Sequence, residues 1–310
     1  MWYNGTTLQY LRTLGLVGAI AALTAPVAFS SARAEPAKIP IGITGGILLS
    51  AYGSVWTTDL TLARLIRIDP QAAKVSGKVG LGARPYGLAA GAGSIWVASQ
   101  STDTVARVNP KTLKVAKRIH VGFQAFAAAF GAGSVWVSLE SNGTVVRINP
   151  RRNKVVARIH GFADPNGLVY AYHAIWISDL AKARIVRVNP RPNRITAKIR
   201  VPKADWITPA DGALWVSSER NRVYRLDPRK LKATASVSVG ANPLASGVVG
   251  GELWVPNIEA NTISVVDRSH NTVSRTIPAG NAPLGVLSTA DGVFVSMSGG
   301  GAVWRFDATG

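Results

Sequence analysis

Six short clusters stand out for the chemistry they could perform: Arg84-Pro-Tyr86, Gln124-Ala-Phe126, Asp164-Pro-Asn166, Asp205-Trp206, Asn242-Pro-Leu244 and Ala282-Pro-Leu284. Their side chains pair aromatic walls with a few polar groups, the mixture that lines small-ligand pockets. Arg84, Tyr86, Gln124, Phe126, Asp164, Asn166, Asp205, Trp206 and Asn242 are therefore the candidate pocket residues. Ordinary solvated loop side chains are the competing explanation for the same set. No catalytic residue is assigned. His120, His160, His173 and His270 are the only histidines. No serine sits in a nucleophile-elbow setting, and Gly91-Ala-Gly93 opens a turn rather than a phosphate loop. Cysteine is absent, which removes disulfides, thiolate metal sites and cysteine nucleophiles. No cofactor is expected. Carboxylates alone leave room for Ca²⁺ or Mg²⁺, which accept oxygen ligands only.

The clusters recur because the whole chain does. Gly53-Ser-Val-Trp56 is followed by Trp96, Trp136, Trp176, Trp215, Trp254 and Phe294 in matching settings, in steps of 39 or 40 residues. About eleven positions beyond each aromatic comes a second signature, Arg67-Ile-Asp-Pro70, Arg107-Val-Asn-Pro110, Arg147-Ile-Asn-Pro150, Arg187-Val-Asn-Pro190 and Arg225-Leu-Asp-Pro228, decaying to Val265-Val-Asp-Arg268 and Arg305-Phe-Asp-Ala308. A third segment such as Lys154-Val-Val-Ala-Arg-Ile159 completes the unit. β-Branched residues dominate and Asn-Pro or Asp-Pro marks a turn, so each unit reads as four short strands, a to d.

Seven four-stranded units of this length predict an all-β, seven-bladed β-propeller. The seventh unit ends after its c strand. Ile39-Pro-Ile41-Gly42 resembles the end of a d strand, as in Ile119-His-Val121-Gly122, so the N-terminal strand is predicted to complete the last blade and close the ring. An aromatic required in every blade is expected to wedge adjacent blades apart rather than stack on bases or sugars. The recurrent arginine is expected to bond turn carbonyls of its own or the next blade.

These motifs resemble the YVTN-type repeat propellers related to streptogramin (virginiamycin B) lyases, over residues 37–310. The resemblance implies a propeller, and for its lyase members a metal-assisted elimination that uses histidine and glutamate near the channel mouth. None of the four histidines falls on the predicted ligand face, so no lyase residue is carried over.

In a propeller the d-to-a and b-to-c connections share one face. The first carry the candidate pocket. The second carry Asp59, Asp103, Glu140, Asp179, Glu219 and Glu259, and with Asp164 and Asp205 this places eight of the 16 acidic residues there. The basic excess lies on the outer d strands, for example Lys114, Lys117, Arg118, Lys154, Arg158, Arg194, Lys198 and Arg200, where it protects exposed edges or attracts an anionic polymer.

Residues 1–34 read as a signal peptide, with Arg12, an apolar run from Leu14 to Phe29 and an Ala32-Arg-Ala34 cleavage site, ahead of a propeller over 35–310. Loss of Arg12 and Arg33 with it lowers the net charge from +19 to +17. The expectation is a periplasmic or secreted, monomeric, non-catalytic binding propeller. Its partners would be a small molecule, a peptide or an envelope protein at the channel mouth, and an anionic envelope component at the basic rim. A divergent metal-dependent lyase or hydrolase and a protein-interaction scaffold are the alternatives.

Overall fold

The computed structural model describes residues 35–82 and 84–307. The signal-peptide expectation lies outside the described residues, among which no helix is long and apolar enough to cross a membrane.

Seven four-stranded antiparallel sheets follow one another around the ring. Blade three is typical: strand a Ala125–Gly131, b Ser134–Leu139, c Thr144–Asn149 and d Lys154–His160. The last blade takes a, b and c from Pro283–Thr289, Gly292–Met297 and Ala302–Phe306, and its d strand from Ala37–Pro40. That strand pairs Ala37 with Arg305, Ile39 with Val303 and Pro40 with Ala302, so the ring closes as its sequence predicts.

Burial follows the strand period. The b strands are buried along nearly their whole length, whereas the outer d strands alternate exposed and partly buried residues. Apolar contacts cluster at the seams between blades. Trp136 of blade three packs with Ile175, Ile177, Val186 and Val188 of blade four, and Trp96 packs with Val135, Val137, Val146 and Ile148 of blade three. The same holds around the ring to Phe294, which meets Val55, Ile66 and Ile68 of blade one together with Ile39 and Ile41. The six tryptophans of the repeat position are each 2% exposed or less. Where the indole N–H is spent, it donates to the end of strand a in its own blade, as from Trp56 to the Ala51 carbonyl at 2.9 Å.

Four of the recurrent arginines, Arg67, Arg107, Arg147 and Arg305, clasp the next blade. Arg107 donates to the Pro150 carbonyl at 2.9 Å and to Asn153 Oδ1 at 2.8 Å, and Arg147 repeats this with Pro190 and Asn193 at 2.7 and 3.0 Å. Their guanidinium groups also lie over Trp96 and Trp136, about 5 Å from the ring centres. Arg305 reaches the Gln71 carbonyl at 3.1 Å and so clasps blade seven to blade one.

Candidate functional site at the channel mouth

One backbone hydrogen bond recurs seven times and builds the mouth. The first residue after strand b donates to the connector that precedes strand a: Leu60 to Thr44, Gln100 to Arg84, Glu140 to Gln124, Leu180 to Asp164, Glu219 to Lys203, Ile258 to Asn242 and Ser298 to Ala282. Two rings of seven side chains are thereby set at matching positions. A third ring comes from the residue that follows the first a–b pairing, namely Gly46, Tyr86, Phe126, Asn166, Asp205, Leu244 and Leu284. The register shifts just beyond that pairing in blades two to five and seven, and such a bulge re-aims side chains.

The rings are not uniform. Blades two to five contribute Arg84, Gln100, Tyr86, Gln124, Glu140, Phe126, Asp164, Asn166, Lys203, Glu219 and Asp205, whereas blades six, seven and one contribute mainly small or apolar residues. The site is one-sided. Trp206 sharpens this, because Gly87, Ala127, Gly167, Ala245 and Gly285 occupy its place in five other blades. Glycine there lets inner strands approach: a Cβ on Gly87 would run into the Phe126 carbonyl oxygen. Blade five carries an indole at this position instead.

There it meets two rings from other blades. Tyr86 stacks on Phe126 with centroids 4.2 Å apart, and Trp206 lies 6.4 Å from Tyr86 and 6.2 Å from Phe126. Acceptors surround this aromatic floor. Asp205 and Asn166 are 9% and 6% exposed, and each has a buried Oδ1 without a hydrogen-bond partner. Glu140 Oε1 is likewise buried and unpartnered, while its other oxygen takes only a 3.5 Å contact from Gln100 Nε2.

Electrostatics follow from this crowding. Burial lifts the Asp205 carboxyl to about 8, with Glu219 and Asp164 adding to it, and lifts Glu140 to about 8, with Asp164 and Asp205 adding. Asp164 is raised by burial and by Asp179 and Glu219, against the opposing charge of Lys203. Burial and the carboxyls of Asp205 and Glu140 push the Tyr86 phenol well above its usual range, and Arg84 opposes them. Lys203 is engaged with Glu219 at 3.3 Å.

The predicted pocket residues separate on inspection. Tyr86, Phe126, Asp205 and Trp206 converge, Asn166 holds the matching position in blade four, and all five belong to the first residues of strand a rather than to the connectors in which the sequence suggested them. Arg84, Gln124 and Asp164 lie in the connectors above them. Asn242 stands on the apolar side, where its amide donates to Glu259 Oε1 at 3.3 Å.

The eight acids also divide. Asp59 and Asp179 end their b strands and are fully buried as braces. Asp59 accepts from the backbone of Ile43, Thr44, Thr61 and Leu62, whereas Asp179 accepts from Ala163 and Asp164 and pairs with Arg184 at 2.7 Å. Glu140 and Glu219, one position further along, belong to the mouth. Glu140 and Gln100 were outside the sequence-derived pocket; the latch position after strand b is the signal that finds them. Among the described residues no three of histidine, aspartate and glutamate gather as a metal cage.

The architecture defines a seven-bladed β-propeller. Among solved structures the chain is similar to a streptogramin B lyase, at TM-score 0.77 and 14% identity over 90% of this chain and 100% of that one. It is also similar to Kuenenia stuttgartiensis hydrazine synthase, at TM-score 0.72 and 12% identity over 90% of this chain and 98% of that one. The fold is thus streptogramin-lyase-like, as the repeat implied, and at these identities the likeness carries the fold alone. No protein-family model matches the sequence, and no curated protein matches it.

Proposed function

We propose that this is an exported, non-catalytic binding propeller whose channel mouth, on blades two to five, takes a small molecule or peptide through a positively charged, hydrogen-donating group. The observation that carries the reading is the set of buried, unpartnered oxygens of Glu140, Asn166 and Asp205 beside the Tyr86–Phe126–Trp206 floor. The Asn166 carbonyl and the two carboxyls once ionised are acceptors, so together they call for donors and reward a cation that displaces their protons. Aromatic faces attract organic cations, and an ammonium with an apolar body satisfies both demands. A hard metal ion would want six or more oxygens and no aromatic floor. The test is a thermal-shift series with benzamidinium, which carries both the charge and N–H donors, its neutral relative benzamide, and benzoate. The first should raise the melting temperature of the wild-type protein but not of Trp206→Ala; equal shifts from all three compounds would sink the reading.

A second reading, binding of an anionic envelope component at the rim, has its own support. Exposed Lys114, Lys117, Arg118, Lys154, Arg158, Arg194, Lys198 and Arg200 cover the outer strands of blades two to four, which carry no acid. The turn before each d strand is held by an Asp or Asn side chain accepting backbone N–H groups. Blades one, five and six use Asp69, Asp227 and Asp267, whereas blades two to four use Asn109, Asn149 and Asn189. The neutral amide does the same turn chemistry and leaves the arc wholly basic. Retention on heparin should be strong at low salt and fall steeply with added salt. Passage through the column unretained at about 50 mM salt, where such contacts are strongest, would remove this second reading.

A further inference from the structure

On the face opposite the mouth, a cleft of about 380 Å³ opens between blades four and five, lined among others by Tyr172, His173, Arg187, Arg229 and Leu231. Its wall includes two guanidinium groups and no carboxylate among the described residues. Two acids adjacent in sequence to the lining are engaged elsewhere: Asp211 pairs with Arg268, and Asp227 accepts from the backbone of Arg229 and Lys230.

Arg187 occupies the clasp position of blade four, yet it clasps nothing. In blade two, Arg107 Nε donates to Ser94 Oγ at 2.8 Å, and its Nη1 reaches the Pro150 carbonyl and Asn153 Oδ1. In blade three, Arg147 does the same with Ser134 at 2.8 Å, Pro190 and Asn193. At the seam of blades four and five the serine is replaced by Ala174 and the asparagine by Leu231. Arg187 Nε is consequently buried without a partner, and the side chain makes no hydrogen bond among the described residues. Its guanidinium still lies 5.9 Å from the centre of the Trp176 ring. A guanidinium that is held against an aromatic face and lines the cleft, with neither Nη group spent on a hydrogen bond among the described residues, is preorganised to capture an oxyanion.

We propose that this cleft is a binding site for an oxyanion, a carboxylate or phosphate group on a small molecule, gripped by Arg187 with Arg229 adding positive charge. Tyr172, Leu231 and the neighbouring Pro228 give the bound group's carrier an apolar wall. Leu231 has the left-handed backbone, φ 54°, that Asn153 and Asn193 adopt at φ 52° in the intact clasps. Leucine is disfavoured in that conformation, yet blade two also carries Leu113 there at φ 56°, beside an Arg67 that still reaches the Pro110 carbonyl, so it is the joint loss of serine and asparagine that sets Arg187 apart. The cleft is independent of the channel mouth, and its fate does not bear on that site.

The test uses the chain from Glu35 onward, with inorganic phosphate and benzoate as separate probes against sodium chloride of matched ionic strength. Either probe, at ten or more times its dissociation constant, should raise the melting temperature by roughly 2–5 °C beyond the chloride control. Whichever probe binds identifies the group. Arg187→Gln should abolish the shift. The decisive variant is Ala174→Ser combined with Leu231→Asn, which returns to Arg187 the partners it has in blades two and three. It should melt higher than wild type and no longer respond to the anion. No shift beyond chloride for either probe, or an undiminished shift in the double variant, would overturn the proposal.

Discussion

A chain that begins at Ile43 is expected to melt about 10 °C or more below one that begins at Glu35. The segment removed carries the d strand of the last blade, and with it Ile39 and Ile41, each 1% exposed and packed against Phe294, Val55 and Val303. Burying two such side chains is worth about 3–6 kcal/mol before the ladder to Ala302–Phe306 is counted. In addition, the Ile41 and Gly42 amides donate to the Gly301 carbonyl at 2.8 and 3.1 Å. Loss of the strand also exposes the edge of the c strand, which invites association between chains. Calorimetry on the two chains measures the effect, and Ile39→Ala with Ile41→Ala, expected to cost about 4 kcal/mol or more, keeps the backbone in place as a control. Unchanged melting in both would mean that the ring does not depend on this closure.

Stability should fall as pH rises from about 4 towards 8, and Asp205→Asn should remove much of that fall. In the unfolded chain Asp205 and Glu140 titrate near their ordinary values, but in the folded chain both hold their protons until about 8. Between those limits the folded state binds more protons, so each unit of pH costs stability, and the cost levels off once the folded groups ionise. The contribution is fully present below the unfolded pKa and lost by pH 9. Asp205→Asn, which keeps the shape without the charge, should match wild type near pH 4 and melt several degrees higher at pH 9. Denaturant titrations across that range measure the slope; a variant curve parallel to wild type would show that Asp205 is not the buried acid described.

Both effects trace to features with different visibility in the sequence. Closure was legible because Ile39-Pro-Ile41-Gly42 copies the d-strand endings of other units, and every blade solves the same packing problem with the same residues. The tryptophans and clasping arginines were legible for that reason too. The aromatic floor was found in outline, since Tyr86, Phe126 and Trp206 break an otherwise repeated frame. The carboxylates were harder. Asp59 and Asp179 close strand b, where the pleat turns them inward onto backbone amides, whereas Glu140 and Glu219 follow by one residue and reach the mouth. A one-residue difference in register reverses the side on which a strand residue points, and sequence spacing alone does not resolve it. Arg187 shows the same limit, because its motif is intact and only its partners on two other strands and turns have changed.

The two acids and the aromatic floor meet in one measurement. Titration calorimetry with benzamidinium, a probe that keeps its charge and its N–H donors from pH 6 to pH 9, reports whether the mouth selects cations by ionising Asp205 and Glu140. Affinity should rise at least tenfold from pH 6 to pH 9, protons should be released on binding at pH 7, and Asp205→Asn should bind the probe far more weakly at pH 9. An affinity that ignores both pH and Asp205→Asn, or no binding at any pH, would contradict the account.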